Sequence, residues 1–258
     1  MNPAPASLSC VSRLLEDPWR RRHQPLIEAT LSFLLDHLPC PPHNILDIGG
    51  GDGLVAGRLL QRLADAQATA MDIRHDTDGP AIAAALGVSS RLRTVCWNAT
   101  ELDQWPESRS FDLVICRSAL HHFSDPARVL RAIAQRLMPG GHLLLSDAFF
   151  PDHSAHVWSA LNQLRETDFV AYYTYHAILD LLTQAGLRIR LIRPYVFVHE
   201  DLDAYLFPAS PAIRDDLKRA IYHLDEQTRQ EMKLCLGNGT AHFEYTCFDL
   251  IADTPDLS

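Results

Sequence analysis

Short apolar runs alternate with amphipathic stretches over the first 150 residues of the chain. The apolar runs are five or six residues long and are typical of strands, whereas the stretches between them carry apolar residues at helical spacing. The predicted strands are 44–48, 68–73, 92–96, 111–116 and 142–146, and the predicted helices are 24–38, 54–66, 80–86 and 125–137. This alternation predicts an α/β fold with a parallel sheet.

The pattern changes after Asp147. A predicted helix at 152–168 leads into a cluster of aromatic residues, and a second helix ends near Ala185, before Gly186. Beyond it we predict a long strand at 187–198, a helical region at 213–236 with room for one break, and an alternating strand at 243–251. This part is expected to complete the sheet and to cover one edge of it.

Composition excludes several classes of protein. A chain of 258 residues suits one α/β domain with a cap, and its formal net charge of −9 argues against a nucleic-acid partner. Its six cysteines are scattered without a C-x-x-C pair, which argues against a disulfide framework or a zinc site. The sequence has no signal-peptide pattern and no apolar stretch long enough to cross a bilayer. We therefore expect a cytoplasmic protein without stable membrane insertion.

The first strand runs directly into a turn crowded with glycines, Asp47-Ile48-Gly49-Gly50-Gly51-Asp52-Gly53. Glycine permits positive φ angles and lets the backbone approach a ligand closely. One register of the turn, Asp47-x-Gly49-x-Gly51-x-Gly53, is typical of methyltransferases that use S-adenosylmethionine (SAM). The other, Gly51-x-Gly53-x-x-Ala56, satisfies a relaxed dinucleotide fingerprint. A turn without any ligand is the third alternative.

Two polar residues follow the next strands. Asp72 ends the second strand roughly 20 residues beyond the glycines, where a carboxylate can accept hydrogen bonds from both hydroxyls of a ribose. Asn98 follows the third strand, where its amide can face an adenine edge or can simply close a turn. Because SAM and NAD both carry a ribose and an adenine, these residues do not distinguish between the two ligands.

Two further segments carry a family resemblance, 111–126 (FDLVICRSALHHFSDP) and 137–147 (LMPGGHLLLSD). With the glycine turn they resemble the small-molecule class I SAM-dependent methyltransferases related to ubiquinone and menaquinone biosynthesis. The resemblance is strong over about residues 20–150 and weaker through 187–198 and the final strand. It implies a Rossmann-like, seven-stranded, mostly parallel sheet whose last strand is antiparallel, with helices on both faces and a helical cap. The expected organisation is an N-terminal arm (1–23), a SAM-binding core (24–150), a cap (151–186) and the end of the sheet with inserted helices (187–258), all in one domain.

The resemblance also implies roles for individual residues around SAM. The methionine part is expected to lie beside one group of residues, Asp47, Gly49, Gly50, Gly51, Gly53, Arg117 and Ser118. Asp72 is expected to hold the ribose, Ile73 to pack on the adenine, and Asn98 with Ala99 to face the adenine edge. The family often has an acidic residue where this chain has Asn98, so the strength of that contact is the open point.

Candidate catalytic residues lie beyond the fourth and fifth strands. His121 and His122 follow the fourth strand, and either imidazole can act as a general base near neutral pH, or the pair can only shape the loop. Asp147 follows the fifth strand and can orient a substrate or cap the next helix. The sequence predicts these three residues as the catalytic group.

The predicted cap holds the candidate substrate residues His153, His156, Tyr172 and Tyr173. Aromatic side chains with polar tips suit a flat acceptor, although about half of them are equally typical of an ordinary core. His153 and His156 have a spacing that would suit a metal, but no third ligand is evident, so no metal is expected.

The sequence therefore predicts an enzyme that transfers a methyl group from SAM to an O, N or C atom of a small molecule of the aromatic or secondary-metabolite type, and that releases S-adenosylhomocysteine (SAH). The first alternative is a protein of the same fold that binds SAM without methylating. The second is an NAD-dependent oxidoreductase, which is disfavoured because Lys218 and Lys233 are the only lysines that could complete a Tyr-Lys pair. A homodimer is a possible assembly.

Overall fold

The computed structural model describes residues 18–74, 78–107, 110–237 and 240–255. Seven strands form one continuous sheet in the order β3-β2-β1-β4-β5-β9-β7, with short β6 beside β5 and short β8 beside β9. Strands β1 to β5 are parallel, and β9 is antiparallel to both β5 and β7. The bounds are β1 Asn44–Ile48, β2 Gln67–Asp72, β3 Leu92–Cys96, β4 Phe111–Arg117, β5 Leu137–Phe150, β6 Tyr173–Thr174, β7 Arg188–His199, β8 Cys235–Gly237 and β9 Thr240–Asp253. The predicted α/β architecture with an antiparallel last strand is confirmed.

Helices cover both faces of the sheet because the side chains of each inner strand alternate between two apolar clusters. Leu46, Val114 and Leu143 belong to the cluster on one face, whereas Ile45 and Leu144 belong to the cluster on the other. A strand buried on both faces reads as a continuous apolar run, which is why the sequence signal was clear here. The helices are α1 Pro18–His37, α2 Leu54–Arg62, α3 Gly79–Ala85, α4 Pro126–Arg136, α5 Asp152–Arg165, α6 Tyr175–Gln184, α7 Leu202–Leu206, α8 Pro211–Tyr222 and α9 Glu226–Glu231.

A third apolar cluster, rich in aromatic side chains, lies under the helices that follow the core. Trp158 of α5, Tyr205 of α7 and Phe243 of β9 pack together there, with ring centroids 5.0 to 6.0 Å apart. This cluster joins α5 to the long β7–β9 ribbon. It fixes the part of the chain that follows Asp147 against the end of the sheet.

Several boundaries differ from the sequence predictions. Helix α1 begins at Pro18, inside the predicted arm, and residues 1–17 of that arm lie outside the described part of the chain. Residues 138–141, between the predicted helix and the predicted strand at 142–146, lie within β5, because Leu137 already pairs with Phe111 before the register shifts to His142 opposite Leu113. Such a shift is a β-bulge, which a local pattern does not indicate.

The helical region predicted at 213–236 has the one break that the prediction allowed, at residues 223–225, but its last residues are not helical. Helix α8 ends at Tyr222, and Asp225 begins α9 by accepting hydrogen bonds from the backbone N–H of Thr228 at 2.9 Å and from its hydroxyl at 2.7 Å. The last predicted helical residues, 235 and 236, instead belong to β8, which pairs with β9. No helix in the described ranges is long and apolar enough to cross a membrane.

Candidate active site

The glycine turn lies where β1 ends and α2 begins. Gly49, Gly51 and Gly53 have φ angles of +67°, +53° and +81°, in the left-handed region that other residues rarely adopt. A Cβ atom on Gly49 would lie 2.4 Å from the Cβ of Ala119, which follows β4. The turn therefore needs glycine both for its backbone angles and for its close approach to the segment that carries the histidines.

Asp47 is almost completely buried beneath this turn, with 1% of its surface exposed. Its Oδ2 accepts a hydrogen bond of 3.2 Å from the N–H of Ala56. Burial raises the pKa of Asp47 to about 7; the Ala56 bond and the Arg117 guanidinium act in the opposite direction, and Asp52 and Asp72 add to the rise. A carboxylate in this position is poised to pair with a cation.

Asp72, at the end of β2, is 9% exposed and faces the same turn. One carboxylate oxygen accepts from the N–H of Gly51 at 3.1 Å and the other from the N–H of Arg74 at 2.9 Å. Next to it, Ile73 is 64% exposed, unusual for a large apolar side chain beside a buried strand. The pair therefore offers a polar edge and an apolar surface side by side, as the predicted contacts with ribose and adenine require.

The residues predicted to face the adenine edge serve a local structural role. The side-chain oxygen of Asn98 accepts hydrogen bonds from the N–H of Thr100 at 3.0 Å and from its hydroxyl at 2.8 Å. It thereby caps the short helical turn Ala99–Gln104, and Ala99 is buried. This is the turn-closing role that the sequence left open, and only the amide nitrogen of Asn98 remains for the predicted adenine contact.

Arg117 and Ser118 end β4 on the other side of the turn. Arg117 is 8% exposed, and its Nε is buried without a hydrogen-bond partner among the described residues. Ser118 has a φ of +51°, a strained value for a residue with a side chain, and its N–H donates to the carbonyl of Ser146 at 2.7 Å. Strain of this kind is frequent at ligand sites.

His121 and Asp147 form a hydrogen-bonded pair. Nδ1 of His121 lies 2.7 Å from one carboxylate oxygen of Asp147 and 3.0 Å from the other, and the two side chains are 14% and 4% exposed. Burial lowers the pKa of His121, but the negative charge of Asp147 and its hydrogen bond more than offset that effect, so the net pKa is raised. Asp147 therefore orients His121 and does not cap α5.

His122 lies beside this pair in a different environment. Its ring centroid is 4.2 Å from that of His121, and its Nδ1 lies 3.0 Å from the carbonyl oxygen of Asp168. Burial and the neighbouring His121 lower the pKa of His122. Two adjacent imidazoles thus have pKa values displaced in opposite directions, as is typical of catalytic groups.

The predicted substrate residues divide into two groups. Tyr172 is buried with its ring centroid 5.6 Å from that of His121, and Tyr173 is half-buried with its hydroxyl 3.4 Å from the carbonyl oxygen of Phe123. His153 instead lies 2.9 Å from a carboxylate oxygen of Asp225, and its ring packs against His156. The structure therefore brings Tyr172 next to the pair of His121 and Asp147 but directs His153 towards Asp225, which precedes α9.

One loop that the sequence missed completes the site. Residues 166–171 connect α5 to the strand that carries Tyr173, and the N–H groups of Val170 and Ala171 donate to the carbonyl of His121 at 2.9 and 3.2 Å. The ring of Phe169 in this loop lies 5.5 Å from that of His121. The predicted helix 152–168 hid the loop, although Thr167 and Asp168 are poor helix formers and were the available signal.

The same loop gathers groups of the kinds that bind cations. His122, Glu166 and Asp168 place one potential ligand atom each within 4.8 Å of one another. However, Nδ1 of His122 already contacts the carbonyl of Asp168, and Glu166 is paired with Arg165. The expectation of a metal-free enzyme stays a prediction, and a chelator tests it.

Comparison with known proteins assigns the family. Residues 19–192 match a family model described as a methyltransferase domain. The chain belongs to this methyltransferase family. That membership removes the NAD-dependent oxidoreductase alternative and favours the register of the glycine turn that begins at Asp47.

The chain is similar to known proteins in sequence and in fold. Over 102 residues the chain is 33% identical to a ubiquinone biosynthesis O-methyltransferase of Yersinia pestis, and the match covers 40% of this chain and 41% of the relative. The YcgJ protein of Bacillus subtilis has a TM-score of 0.78 at 21% identity, covering 88% and 99% of the two chains. The O-methyltransferase of a trans-AT PKS multienzyme of Brevibacillus brevis, solved with SAH, has a TM-score of 0.58 at 15% identity, covering 100% and 82%. At these identities, the two structures show a shared fold.

The methyltransferase uses SAM as its cofactor, and the carboxyl edge of the sheet fits that ligand. Gly51 of the turn has open space where a side chain would stand. Asp47 is a buried carboxyl group without a cationic partner at hydrogen-bond distance, and Arg117 has a buried Nε without a hydrogen-bond partner, both among the described residues. These groups match the ammonium and carboxylate of the methionine part, while Asp72 and Ile73 match the adenosine part. The individual contacts stay predictions.

The affinity for SAM is expected to fall as the pH decreases through about 7. Burial raises the pKa of Asp47 to about 7, so below that pH the carboxyl is neutral and cannot pair with the ammonium of SAM. Between pH 8 and pH 6 the ionised fraction falls from about nine tenths to about one tenth, so we expect about a ten-fold weaker affinity. Calorimetry at both pH values checks this, and at pH 6 binding should release a proton. An affinity that is equally pH-dependent in Asp47→Asn would contradict the assignment.

Proposed function

We propose that the protein transfers the methyl group of SAM to a hydroxyl oxygen of a small aromatic molecule, with His121 as the general base. The observation that carries this proposal is the 2.7 Å contact between Nδ1 of His121 and the buried carboxylate of Asp147. A general base is useful for an oxygen acceptor, because a hydroxyl becomes a strong nucleophile when it loses its proton. The relative in Yersinia pestis is described as an O-methyltransferase, which supports the same choice.

Asp147 sets the protonation pattern of the proposed base. Its carboxylate accepts from Nδ1–H of His121, which leaves Nε2 unprotonated and able to take a proton from the acceptor. The same carboxylate stabilises the imidazolium that forms, and this is why the pKa of His121 is raised. The Val170 and Ala171 bonds to the carbonyl of His121 hold the backbone in place during the transfer.

SAM, when bound, supplies an activated methyl group on a sulfonium. The task of the protein is therefore to hold donor and acceptor in line and to exclude water. The glycine turn, Asp47 and Asp72 are proposed to position the donor, and Phe169 and Tyr172, whose ring centroids are 4.7 Å apart, to form an aromatic wall for the acceptor. Such a wall suits a flat ring through stacking and edge contacts.

A product assay tests the proposal. The full chain is incubated with SAM and a panel of phenols, catechols, aromatic amines and aliphatic alcohols, and SAH release is measured together with the mass of the product. We expect SAH release that depends on a phenolic or catecholic hydroxyl and survives a chelator. Methylation of the amines alone would overturn the choice of oxygen, and tight SAM binding without any product would favour the protein that binds SAM without methylating.

The proposal also covers the location, the partners, the domain organisation and the assembly of the protein. We propose a cytoplasmic enzyme, since the five cysteines among the described residues are free thiols, and an enzyme without nucleic-acid partners, since the chain carries a formal net charge of −9. We also propose the division into a SAM-binding core (24–150) and a substrate-facing cap (151–186), with a homodimer as the assembly to test by light scattering.

A further inference from the structure

Two charged residues meet across the end of β1. Arg74 follows β2, and Asp168 lies in the loop at 166–171 beside the histidine turn that follows β4. The Nη1 atom of Arg74 is 3.9 Å from Oδ2 of Asp168. Since β2 and β4 flank β1 on opposite sides, this contact joins segments that belong to strands about 10 Å apart. The glycine turn begins at the end of the strand between them.

Arg74 and Asp168 each also contact a residue that is assigned to the site. The backbone N–H of Arg74 donates to Asp72 at 2.9 Å, and its Nε is 3.7 Å from the same carboxylate oxygen. On the other side, the carbonyl of Asp168 lies 3.0 Å from Nδ1 of His122. A continuous series of polar contacts therefore runs from the proposed ribose carboxylate to the histidine turn.

We propose that Arg74 and Asp168 form a latch across the end of β1, where the glycine turn begins, and that this latch must open for SAM to enter and for SAH to leave. The proposal rests on SAM as the cofactor and not on the identity of the acceptor. Arg74 and Asp168 are positioning residues that act on the passage of the ligand. The latch also links occupancy of the donor site to the loop that holds His121 and His122.

The ion pair that forms the latch is weak. The side chains of Arg74 and Asp168 are 75% and 54% exposed, and ion pairs in such positions contribute little because water and salt screen them. A weak latch changes the rates of passage and not the contacts with the bound ligand. Removal of either charge is therefore expected to raise the association and dissociation rate constants of SAH by about two- to five-fold each. The equilibrium constant should change less than either rate.

Stopped-flow measurement of SAH binding tests this, with the tryptophan fluorescence of the full chain as the signal. The variants are Arg74→Gln, Asp168→Asn and the double variant, and Asp168→Asn leaves the backbone carbonyl that contacts His122 intact. A matched control is Arg219→Gln, which removes a charge from an equally exposed ion pair with Asp216 on α8. High salt is a second arm, because at 1 M the screening length falls to about 3 Å and the wild-type rates should approach those of the variants.

The outcomes separate a latch from other roles. Both single variants should bind and release SAH faster, the double variant should be no faster than either, and the exchanged pair Arg74→Asp with Asp168→Arg should restore slower rates. The proposal is overturned if the rates do not change, if the effects of the single variants add, or if only dissociation speeds up, since the last result indicates a direct contact with the ligand. Failure of the wild type to bind SAH would instead contradict the cofactor assignment.

Discussion

Replacement of His121 by glutamine is expected to lower kcat by about 100- to 10,000-fold, the usual contribution of a general base. Glutamine retains a polar side chain of similar reach, but it cannot accept a proton from the acceptor hydroxyl. The affinity for SAM should change little, because the contacts of His121 are with Asp147, Phe169 and Tyr172 and not with the glycine turn. Steady-state kinetics with a phenolic acceptor and calorimetry with SAM separate the two effects.

The pH profile identifies which group acts. A base must be unprotonated, so at saturating SAM, where the titration of Asp47 no longer limits binding, kcat/KM for the acceptor should rise with pH through the pKa of His121, which Asp147 raises above its ordinary value of 6.5. In Asp147→Asn the negative charge is lost, and the rising limb should therefore move to lower pH while the maximum rate decreases. His122 offers the opposite case, since its pKa is lowered. If His122 were the base, the limb would lie below pH 6.5, and Asp147→Asn would not move it to lower pH, because a less charged His121 lowers the pKa of His122 less.

Matched controls make this prediction decisive. His223→Gln removes an exposed histidine at the end of α8 and should leave the kinetics unchanged. His122→Gln should cost less than His121→Gln, because no carboxylate contacts His122 at hydrogen-bond distance among the described residues. Equal turnover in wild type and His121→Gln would assign the two histidines to shaping the loop, and would leave the methyltransferase family assignment untouched.

The inner strands were the predictable part of the fold. Strands β1 and β3 have the predicted bounds, β2 is shifted by one residue towards the N-terminus, and β4 extends one residue further than predicted. The side chains of β1, β2 and β4 are buried on both faces, so each of these strands reads as a mostly apolar run between turn residues, whereas β3 lies at the edge of the sheet and is only partly buried. The bounds of strand β5 were harder to predict, because its first residues pair across a bulge whose position depends on the partner strand.

The individual site residues were predictable, but most of their partners were not. Asp72 and the glycine turn stand out because strand ends and glycines have local signatures. The pairing of His121 with Asp147 spans 26 residues of sequence and follows from the register of β4 and β5, in which Arg117 lies opposite Ser146. That register brings the residues beyond the two strand ends to the same place.

The contacts of Asp168 were hidden for a different physical reason. The sequence predicted a helix to residue 168, but α5 ends at Arg165. The backbone N–H groups of Val170 and Ala171, which follow, donate to the carbonyl of His121 instead. A helix end that is decided by a tertiary partner leaves only the weak local signal of Thr167 and Asp168. The loop that shapes the site therefore had to be read from the structure.

Replacement of Asp72 by alanine is expected to weaken SAM binding by roughly 100-fold, or about 2.7 kcal/mol. A carboxylate has about four acceptor positions, and Asp72 uses one on each oxygen for the N–H groups of Gly51 and Arg74. The remaining positions can accept the two ribose hydroxyls, in hydrogen bonds that the negative charge strengthens. Calorimetry with SAM and with SAH measures the loss.

A second variant and a second ligand separate this contact from damage to the turn. Alanine leaves the N–H groups of Gly51 and Arg74 without their partners, so thermal unfolding must accompany the measurement. Asp72→Asn removes the charge but keeps one acceptor oxygen for Gly51, while its NH2 group replaces the oxygen that accepts from Arg74. Asp72→Asn should therefore unfold closer to the wild-type temperature than Asp72→Ala does and still bind SAM less tightly. An SAH analogue without ribose hydroxyls should bind wild type and Asp72→Asn almost equally, because it cannot use the carboxylate. If Asp72→Asn weakens the binding of that analogue as much as it weakens the binding of SAH, Asp72 acts by shaping the glycine turn, and other residues hold the ribose.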